Sequence, residues 1–223
     1  HCISSAASDV YKRQIFSNIY IPIITLAALL SVISNFGSVI SIIEPFTYTK
    51  INISNLGYVS ISTFNETFFN QNQWWRLVTP MFLHFSLAHL AFNSLWIYIL
   101  GQQIEKIDGK LIFLTLVLFS SISSNFLQFY WVSSNLFGGL SGVIYGLIGY
   151  CMINEMDSVY QRYDIPPALY LFMIIWMVLG FLGLLDLFGF GSVANFAHLG
   201  GLVSGIAFAI ICKFINVSLI GKS

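Results

Sequence analysis

Residues 138–153 read GGLSGVIYGLIGYCMI, an apolar stretch that holds one serine, Ser141, among several glycines. The apolar run from Ser141 to Ile153 is shorter than the about 20 residues that a helix needs to cross the hydrocarbon core of a bilayer. Glycines on both sides of Ser141 let the backbone turn sharply into a helix. We therefore expect a helix that begins below a membrane surface, with a water-filled depression above it, because irregular backbone at that depth has to line a cavity.

The composition of the whole chain indicates a membrane protein. Of its 223 residues, 57% are hydrophobic and only 8% are charged, whereas soluble domains carry about 25% charged residues. The surplus apolar surface is therefore expected to face lipid. The net charge is zero and the basic residues are scattered, so we expect no nucleic-acid partner.

Six apolar segments, separated by charged or turn-rich breaks, are candidate membrane spans. The predicted fold class is all-α, a polytopic membrane protein with six transmembrane helices. The segments run over Ile19–Ile40, His84–Gly101, Leu111–Phe129, Ser141–Ile153, Ala168–Leu185 and Phe196–Phe214.

The chain is expected to contain one folded domain, residues 15–223. The polar residues 1–14 are interpreted as a leader or an artefactual tail and are left out of the fold. Residues 41–83 form a long outer loop, and loops of that length are usually functional. Within this loop, Phe68–Leu83 mixes aromatic, amide and basic residues, which is typical of the membrane interface.

The distribution of basic residues predicts the orientation. An even number of spans puts both termini on one side, and lysine and arginine concentrate in cytoplasmic loops. With cytoplasmic termini, only Lys50 and Arg76 lie outside. The basic residues inside are then Lys12, Arg13, Lys106, Lys110, Arg162, Lys213 and Lys222. The depression above Ser141 is therefore expected to open to the outer side.

Polar residues within the spans are functional candidates, because they are costly in lipid. Counting at 1.5 Å per helical residue from the nearest charge on the cytoplasmic side puts Ser141, His198 and His89 at heights of about 21, 22 and 24 Å. In a hydrocarbon core of about 30 Å, all three lie at one depth below the outer boundary. A lone serine or histidine at such a depth usually packs helices, but together they supply the nucleophile and general base of acyl transfer.

We predict Ser141 as the nucleophile and His198 as the general base. No aspartate is predicted to orient the base, since Asp186 lies in a sequence typical of a turn at the membrane surface. The predicted catalytic unit is therefore a Ser–His dyad. Tyr145 lies four residues after Ser141 and shares its helical face, so its ring is expected to pack under the His198 imidazole.

Three motifs resemble those of the rhomboid family of intramembrane proteases. Gly139-Leu140-Ser141-Gly142 resembles its GxSG motif, Ala197-His198-Leu199-Gly200-Gly201 its AHxxG motif, and the segment from His89 to Asn93 its HxxxN motif. Trp75-Arg76 also resembles the family's WR pair, and Gly101–Glu105 its GxxxE turn. The resemblance covers roughly residues 70–214.

The resemblance implies a rhomboid-like fold and a serine endopeptidase that cleaves transmembrane segments of single-span membrane proteins, without metal or cofactor. It implies an oxyanion hole made by the Ser141 amide with the side chains of His89 and Asn93. Phe92 and Trp176 would be gate residues, where the substrate enters from lipid. The expected location is the bacterial inner membrane.

Glycines are expected to support the site. Small residues spaced four apart let two helix backbones approach closely, and Gly142 and Gly201 belong to such rows. The full rows are Gly138, Gly142 and Gly146 on the fourth span and Gly201 and Gly205 on the sixth. Their contact would bring Ser141 and His198 together.

Other functions fit the sequence less well. An inactive rhomboid-like protein that binds membrane clients is the main alternative, although such proteins usually lack the serine or the histidine. Tyr163-Asp164 and Gly183–Asp186 only partly resemble the motifs of intramembrane aspartyl proteases. His84 and His89 are five residues apart without the HExxH pattern of zinc proteases. No broken-helix repeat indicates a transporter.

Overall fold

The computed structural model describes residues 18–54, 58–132, 136–156, 161–187 and 193–220, without the side chains of residues 186, 187 and 216–220. The predicted tail of residues 1–14 lies outside these ranges, as does Lys222. Nothing in the described part tests the predicted limits of the domain.

Six long helices form the described fold, with short helical turns and one hairpin between them. Their bounds are α1 Tyr20–Ile33, α2 Leu87–Ile107, α3 Lys110–Val132, α4 Ser141–Met156, α5 Pro167–Phe181 and α6 Asn195–Ile220. Each lies on one of the six apolar segments found in the sequence. Two of them, α3 and the Asn195–Ile215 part of α6, are long and apolar enough to cross a membrane, and α1 and α5 are shorter apolar helices. The number of membrane crossings therefore stays a prediction.

Several helix ends differ from the sequence prediction; α2, for example, continues to Ile107 instead of ending at Gly101. Two of the differences have a clear cause in the backbone. Helix α1 stops at Ile33 instead of Ile40, because Asn35, Phe36 and Gly37 adopt positive φ angles of 48°, 51° and 80°, which an α-helix does not accommodate. Helix α2 begins at Leu87 instead of His84, since Ser86 has extended backbone and its side chain accepts a hydrogen bond from the amide of His89. His84 therefore lies in the preceding loop.

The segment between α1 and α2 corrects the expectation of an all-α fold. It contains an antiparallel hairpin in which β1 (Ile51–Ile53) pairs with β2 (Val59–Ile61). Branched residues such as Ile and Val favour strands, and both strands contain them, but the hairpin was not among the elements predicted from the sequence. The remaining turns are Ile40–Ile43, Glu44–Phe46, Glu66–Asn70, Trp74–Leu77 and Thr79–Phe82.

A buried arginine fixes this segment. Arg76 is 2% exposed and its guanidinium pairs with the Glu44 carboxylate at 2.6 Å. It also donates to the carbonyl oxygens of Glu44 and Thr47 and to the side chain of Gln73. Burial lowers the pKa of Arg76, and the hydrogen bond and charge of Glu44 raise it. The planar guanidinium thus joins stretches of the loop about thirty residues apart.

Helix α4 forms the centre of the fold, and its residues from Gly142 to Cys151 are all buried. It packs against α6 through glycines. A Cβ atom added to Gly201 would lie 1.9 Å from the carbonyl oxygen of Gly142, and one added to Gly205 would lie 1.9 Å from that of Gly146. The predicted close approach of these two helices is therefore present. Gly138 was placed on the fourth span wrongly; it precedes α4 and lies against Leu83 and the Pro80 carbonyl oxygen.

At the opposite end of α4 from Ser141, a polar cluster joins the loop before α5 to the turn between α2 and α3. Asp108 pairs with Arg162 and accepts a 2.7 Å hydrogen bond from the Tyr163 hydroxyl. The Asp108 hydrogen bond raises the pKa of Arg162, and burial raises that of Tyr163. Asp164 is exposed in the same loop.

Candidate active site

Ser141 is the first residue of α4 and is half-buried. The turn that leads into it depends on Gly139, whose φ of 118° is a conformation that L side chains rarely adopt. A Cβ atom at this glycine would also lie 2.6 Å from Cε1 of His89. The first amides of a helix have no partner within the helix, so the Ser141 N–H is at the positive end of the α4 dipole.

His198 on α6 lies beside Ser141. Its Nε2 atom is 2.9 Å from the Ser141 Oγ atom, which is hydrogen-bond distance. The two residues are 57 positions apart in the chain, and the glycine contacts between α4 and α6 bring them together. The structure therefore places the predicted nucleophile and the predicted base in contact.

The imidazole of His198 is 5% exposed and is held mainly by packing. The Tyr145 ring lies against it, with 4.6 Å between ring centroids and 32° between planes. The Tyr145 hydroxyl in turn donates a 2.9 Å hydrogen bond to the Met173 carbonyl oxygen on α5. Within the described ranges, Nδ1 of His198 is buried without a hydrogen-bond partner. Asp186 lies in a helical turn, Leu184–Leu187, and its side chain is outside the described part.

His89 and Asn93 lie on the face of α2 that is turned toward the Gly139 turn. A Cβ atom at Gly139 would be 2.8 Å from His89 Nε2 and 3.2 Å from Asn93 Nδ2. Asn93 is 1% exposed, and its Nδ2 atom lies 3.0 Å from Nε2 of His84. The two predicted oxyanion-hole side chains are thus adjacent to the backbone that precedes Ser141.

A cavity of about 410 Å³ lies above these residues and is called the central cavity here. Ser141, His198, His89 and Asn93 all line it, together with apolar side chains and Gln128. Such a mixture of apolar walls and a few convergent polar groups is typical of small-molecule and peptide-binding sites. It also matches the depression predicted above the short fourth helix.

Two polar residues of this region were not assigned a site role from the sequence. Gln128 lines the central cavity and its Oε1 atom accepts a 3.0 Å hydrogen bond from the Ala197 amide, at the start of α6. An amide within an apolar span is itself a signal of function, and that signal was overlooked. His84, considered from the sequence as part of a zinc-protease pattern, contacts Asn93, Phe82 and Leu140.

The two predicted gate residues are in contact with each other. The rings of Phe92 on α2 and Trp176 on α5 stack with centroids 5.6 Å apart and planes at 25°. Phe172 packs against both. Met173 and Gly180 are the only buried residues of α5, so Met173 is its only buried side chain. Helix α5 is therefore the most weakly packed of the helices that border the cavity.

Fold and site together define a helical membrane protein with a serine–histidine pair in a recessed cavity. Residues 71–213 match the model of the Rhomboid domain, which is more than half of the chain. The protein belongs to the rhomboid family and is an integral membrane protein.

Curated bacterial relatives support this assignment. The chain is 42% identical over 139 residues to "Rhomboid protease GlpG" of Serratia proteamaculans, covering 61% of this chain and 48% of the relative. It is 38% identical over 144 residues to the protein of the same name in Yersinia pestis, covering 63% of this chain and 50% of the relative. The chain therefore spans about half the length of the curated relatives that it matches.

Proposed function

We propose that this protein is an intramembrane serine endopeptidase that cleaves transmembrane segments of membrane-protein substrates with a Ser141–His198 dyad. The observation that supports it most directly is the 2.9 Å distance between Ser141 Oγ and His198 Nε2. The names of the relatives, which are rhomboid proteases, agree with it.

In the proposed reaction, neutral His198 accepts the Ser141 proton at Nε2 while Oγ attacks the scissile carbonyl carbon. The proton then passes to the nitrogen of the leaving peptide, whose bond to the carbonyl carbon breaks. This leaves an acyl group on Ser141. Water then attacks the acyl carbon and gives a proton to His198. The bond between the acyl carbon and Ser141 Oγ breaks, Oγ takes that proton back from His198, and the second product leaves as a carboxylic acid.

Charge on the tetrahedral intermediate would be stabilised by three donors. They are the backbone amide of Ser141, at the start of α4, and the side chains of His89 and Asn93. Both side chains lie against the Gly139 turn, within a cavity whose apolar walls strengthen electrostatic interactions. Removing one such donor typically lowers the rate by about 10²–10³.

The base works without a carboxylate partner in this proposal. Since Nδ1 of His198 is buried and unpartnered among the described residues, the ring orientation depends on packing. The Tyr145 ring, whose centroid lies 4.6 Å from that of His198, supplies this packing. We therefore assign Tyr145 a positioning role, and Gly139, Gly142 and Gly201 the role of permitting the close backbone contacts around the dyad.

We propose that the substrate is a single-span membrane protein that enters between α2 and α5. The stacked pair of Phe92 and Trp176 closes this side, and α5 has the fewest buried side chains to displace. The proposed topology has six spans, cytoplasmic termini and a central cavity open to the outer side of a bacterial inner membrane. It rests on the distribution of basic residues.

A fluorophosphonate probe tests the proposal, because it modifies only an activated serine. Purified protein in detergent or bilayers should be labelled at Ser141, and Ser141→Ala should prevent labelling. Ser204→Ala is a matched control, since it removes a buried hydroxyl that bonds to the Gly201 carbonyl oxygen on α6. Folded protein that is not labelled would refute the proposal and favour an inactive client-binding protein. Labelling that persists in Ser141→Ala would refute the assignment of Ser141 as the nucleophile.

A further inference from the structure

His84 is 2% exposed and lies in the loop between the Thr79–Phe82 turn and α2. Its ring contacts three elements at once. Nδ1 lies 3.3 Å from the Phe82 carbonyl oxygen, while Nε2 lies 3.0 Å from Asn93 Nδ2 and 3.4 Å from the Leu140 amide nitrogen. Asn93 belongs to the proposed oxyanion hole, and Leu140 directly precedes Ser141, whose amide also belongs to it.

These contacts determine the tautomer of His84. The Leu140 amide can only donate, so Nε2 must be the unprotonated, accepting nitrogen. The Phe82 carbonyl oxygen can only accept, so Nδ1 must bear the proton. The two backbone groups therefore require the same neutral form of the ring, with its proton on Nδ1.

The tautomer in turn fixes the orientation of the Asn93 amide. Since Nε2 of His84 is an acceptor, Asn93 has to present its NH₂ group and not its oxygen. The same Nδ2 atom faces the Gly139 turn, as a Cβ atom there would lie 3.2 Å away. One N–H of Asn93 is thus bound to His84, and the NH₂ group as a whole lies beside the Gly139 turn, two residues before Ser141.

The second bond acts on the backbone of the nucleophile. Leu140 directly precedes Ser141, and its amide shares the Nε2 lone pair of His84 with Asn93. Of the two contacts, the 3.0 Å one with Asn93 is shorter than the 3.4 Å one with the Leu140 amide. One ring nitrogen therefore links α2, which bears the proposed side-chain donors, to the turn that orients the Ser141 amide.

We infer that His84 is a positioning residue of the oxyanion hole, which orients the Asn93 amide and the Leu140–Ser141 backbone through its unprotonated Nε2 atom. The inference rests on the proposed function and deepens it. His84 touches neither the nucleophile nor the base in this arrangement. Its effect is exerted on two donors that stabilise charge in the transition state.

The test compares two substitutions that place a hydrogen-bond acceptor at different positions of the original imidazole ring. The side-chain oxygen of His84→Gln reaches the position of Nε2, whereas the shorter His84→Asn reaches only that of Nδ1. The assay is cleavage of a single-span substrate in bilayers. We expect the kcat of His84→Asn to be about 10²–10³-fold lower than that of the unsubstituted protein, as when one donor of an oxyanion hole is lost. KM should change little. His84→Gln should recover most of the loss. Equal kcat values in the two variants, or a change confined to KM, would overturn the inference.

A spectroscopic measurement on the unsubstituted protein is independent of turnover. The ¹⁵N chemical shifts of His84, assigned by their loss in His84→Gln, should show a pyridine-type Nε2 and a pyrrole-type Nδ1. A protonated Nε2 would overturn the inference about His84 and would leave the proposed function standing. Absence of turnover and of Ser141 labelling in the unsubstituted protein would instead refute the proposed function, and with it the hole that His84 serves.

Discussion

The Tyr145 hydroxyl donates a 2.9 Å hydrogen bond to the Met173 carbonyl oxygen, so the side chain that packs on His198 also holds α5. Tyr145 and Met173 are both buried. Any movement of α5 away from α4 has to break this bond, and the bond therefore connects the proposed substrate entrance to the proposed base.

Tyr145→Phe should separate the two tasks of this residue. The ring remains against His198, so the rate of fluorophosphonate labelling should stay close to that of the unsubstituted protein. Loss of the hydroxyl should lower the free energy of unfolding by about 0.5–1.5 kcal/mol and ease the movement of α5, which raises kcat/KM for a single-span substrate. Tyr145→Leu is the control that removes the ring, and slow labelling in Tyr145→Phe as well would show that the hydroxyl itself orients the base.

Asn195 provides a second attachment of α5. Its Nδ2 atom donates a 2.9 Å hydrogen bond to the Gly180 carbonyl oxygen near the end of α5. We expect Asn195→Ala to increase amide hydrogen exchange in α5 selectively, because local opening depends on such contacts. Asn154→Ala is a matched control, since it removes an amide hydrogen bond to the Tyr150 carbonyl oxygen within α4. Equal exchange in α5 for the two variants would contradict this role of Asn195.

Gly201 sets the distance between α4 and α6. A methyl group at this position would lie 1.9 Å from the Gly142 carbonyl oxygen, so Gly201→Ala has to separate the helices. We expect thermal unfolding to show about 1–3 kcal/mol of destabilisation, which is typical of overpacking, and slower labelling of Ser141. Gly200→Ala should be milder, because its nearest contact would be at 3.1 Å. If Gly201→Ala were the milder variant, this account of the helix contact would be wrong.

The sequence predicted the positions of the six helices and the meeting of Ser141 with His198. Helical rise is nearly constant, so counting from the nearest charge put the two residues at similar heights on different helices; their depth in the membrane stays a prediction. The glycine rows then indicated which helices approach closely. Gly142 and Gly201 fulfil that expectation, whereas Gly138 does not, because the helix starts only at Ser141.

Features that depend on loop conformation could not be predicted in the same way. The three partners of His84 come from its own loop, from α2 and from the turn at Leu140, and no periodicity relates them. The hairpin formed by β1 and β2 is likewise set by contacts of the long loop. The end of α1 did have a sequence signal, since Asn35 and Gly37 are residue types that favour positive φ angles. Phe36, whose φ is also positive, gives no such signal.

The central proposal is tested most directly by cleavage in proteoliposomes. The full chain is reconstituted with a single-span substrate, and the products are identified by mass spectrometry. We predict one principal cut within the transmembrane segment for the unsubstituted protein. We predict no cut for Ser141→Ala, and none for His198→Ala, whose melting temperature is checked to be unchanged. A cut that persists in either variant, or an unsubstituted protein that leaves every single-span substrate intact, would contradict the proposed dyad.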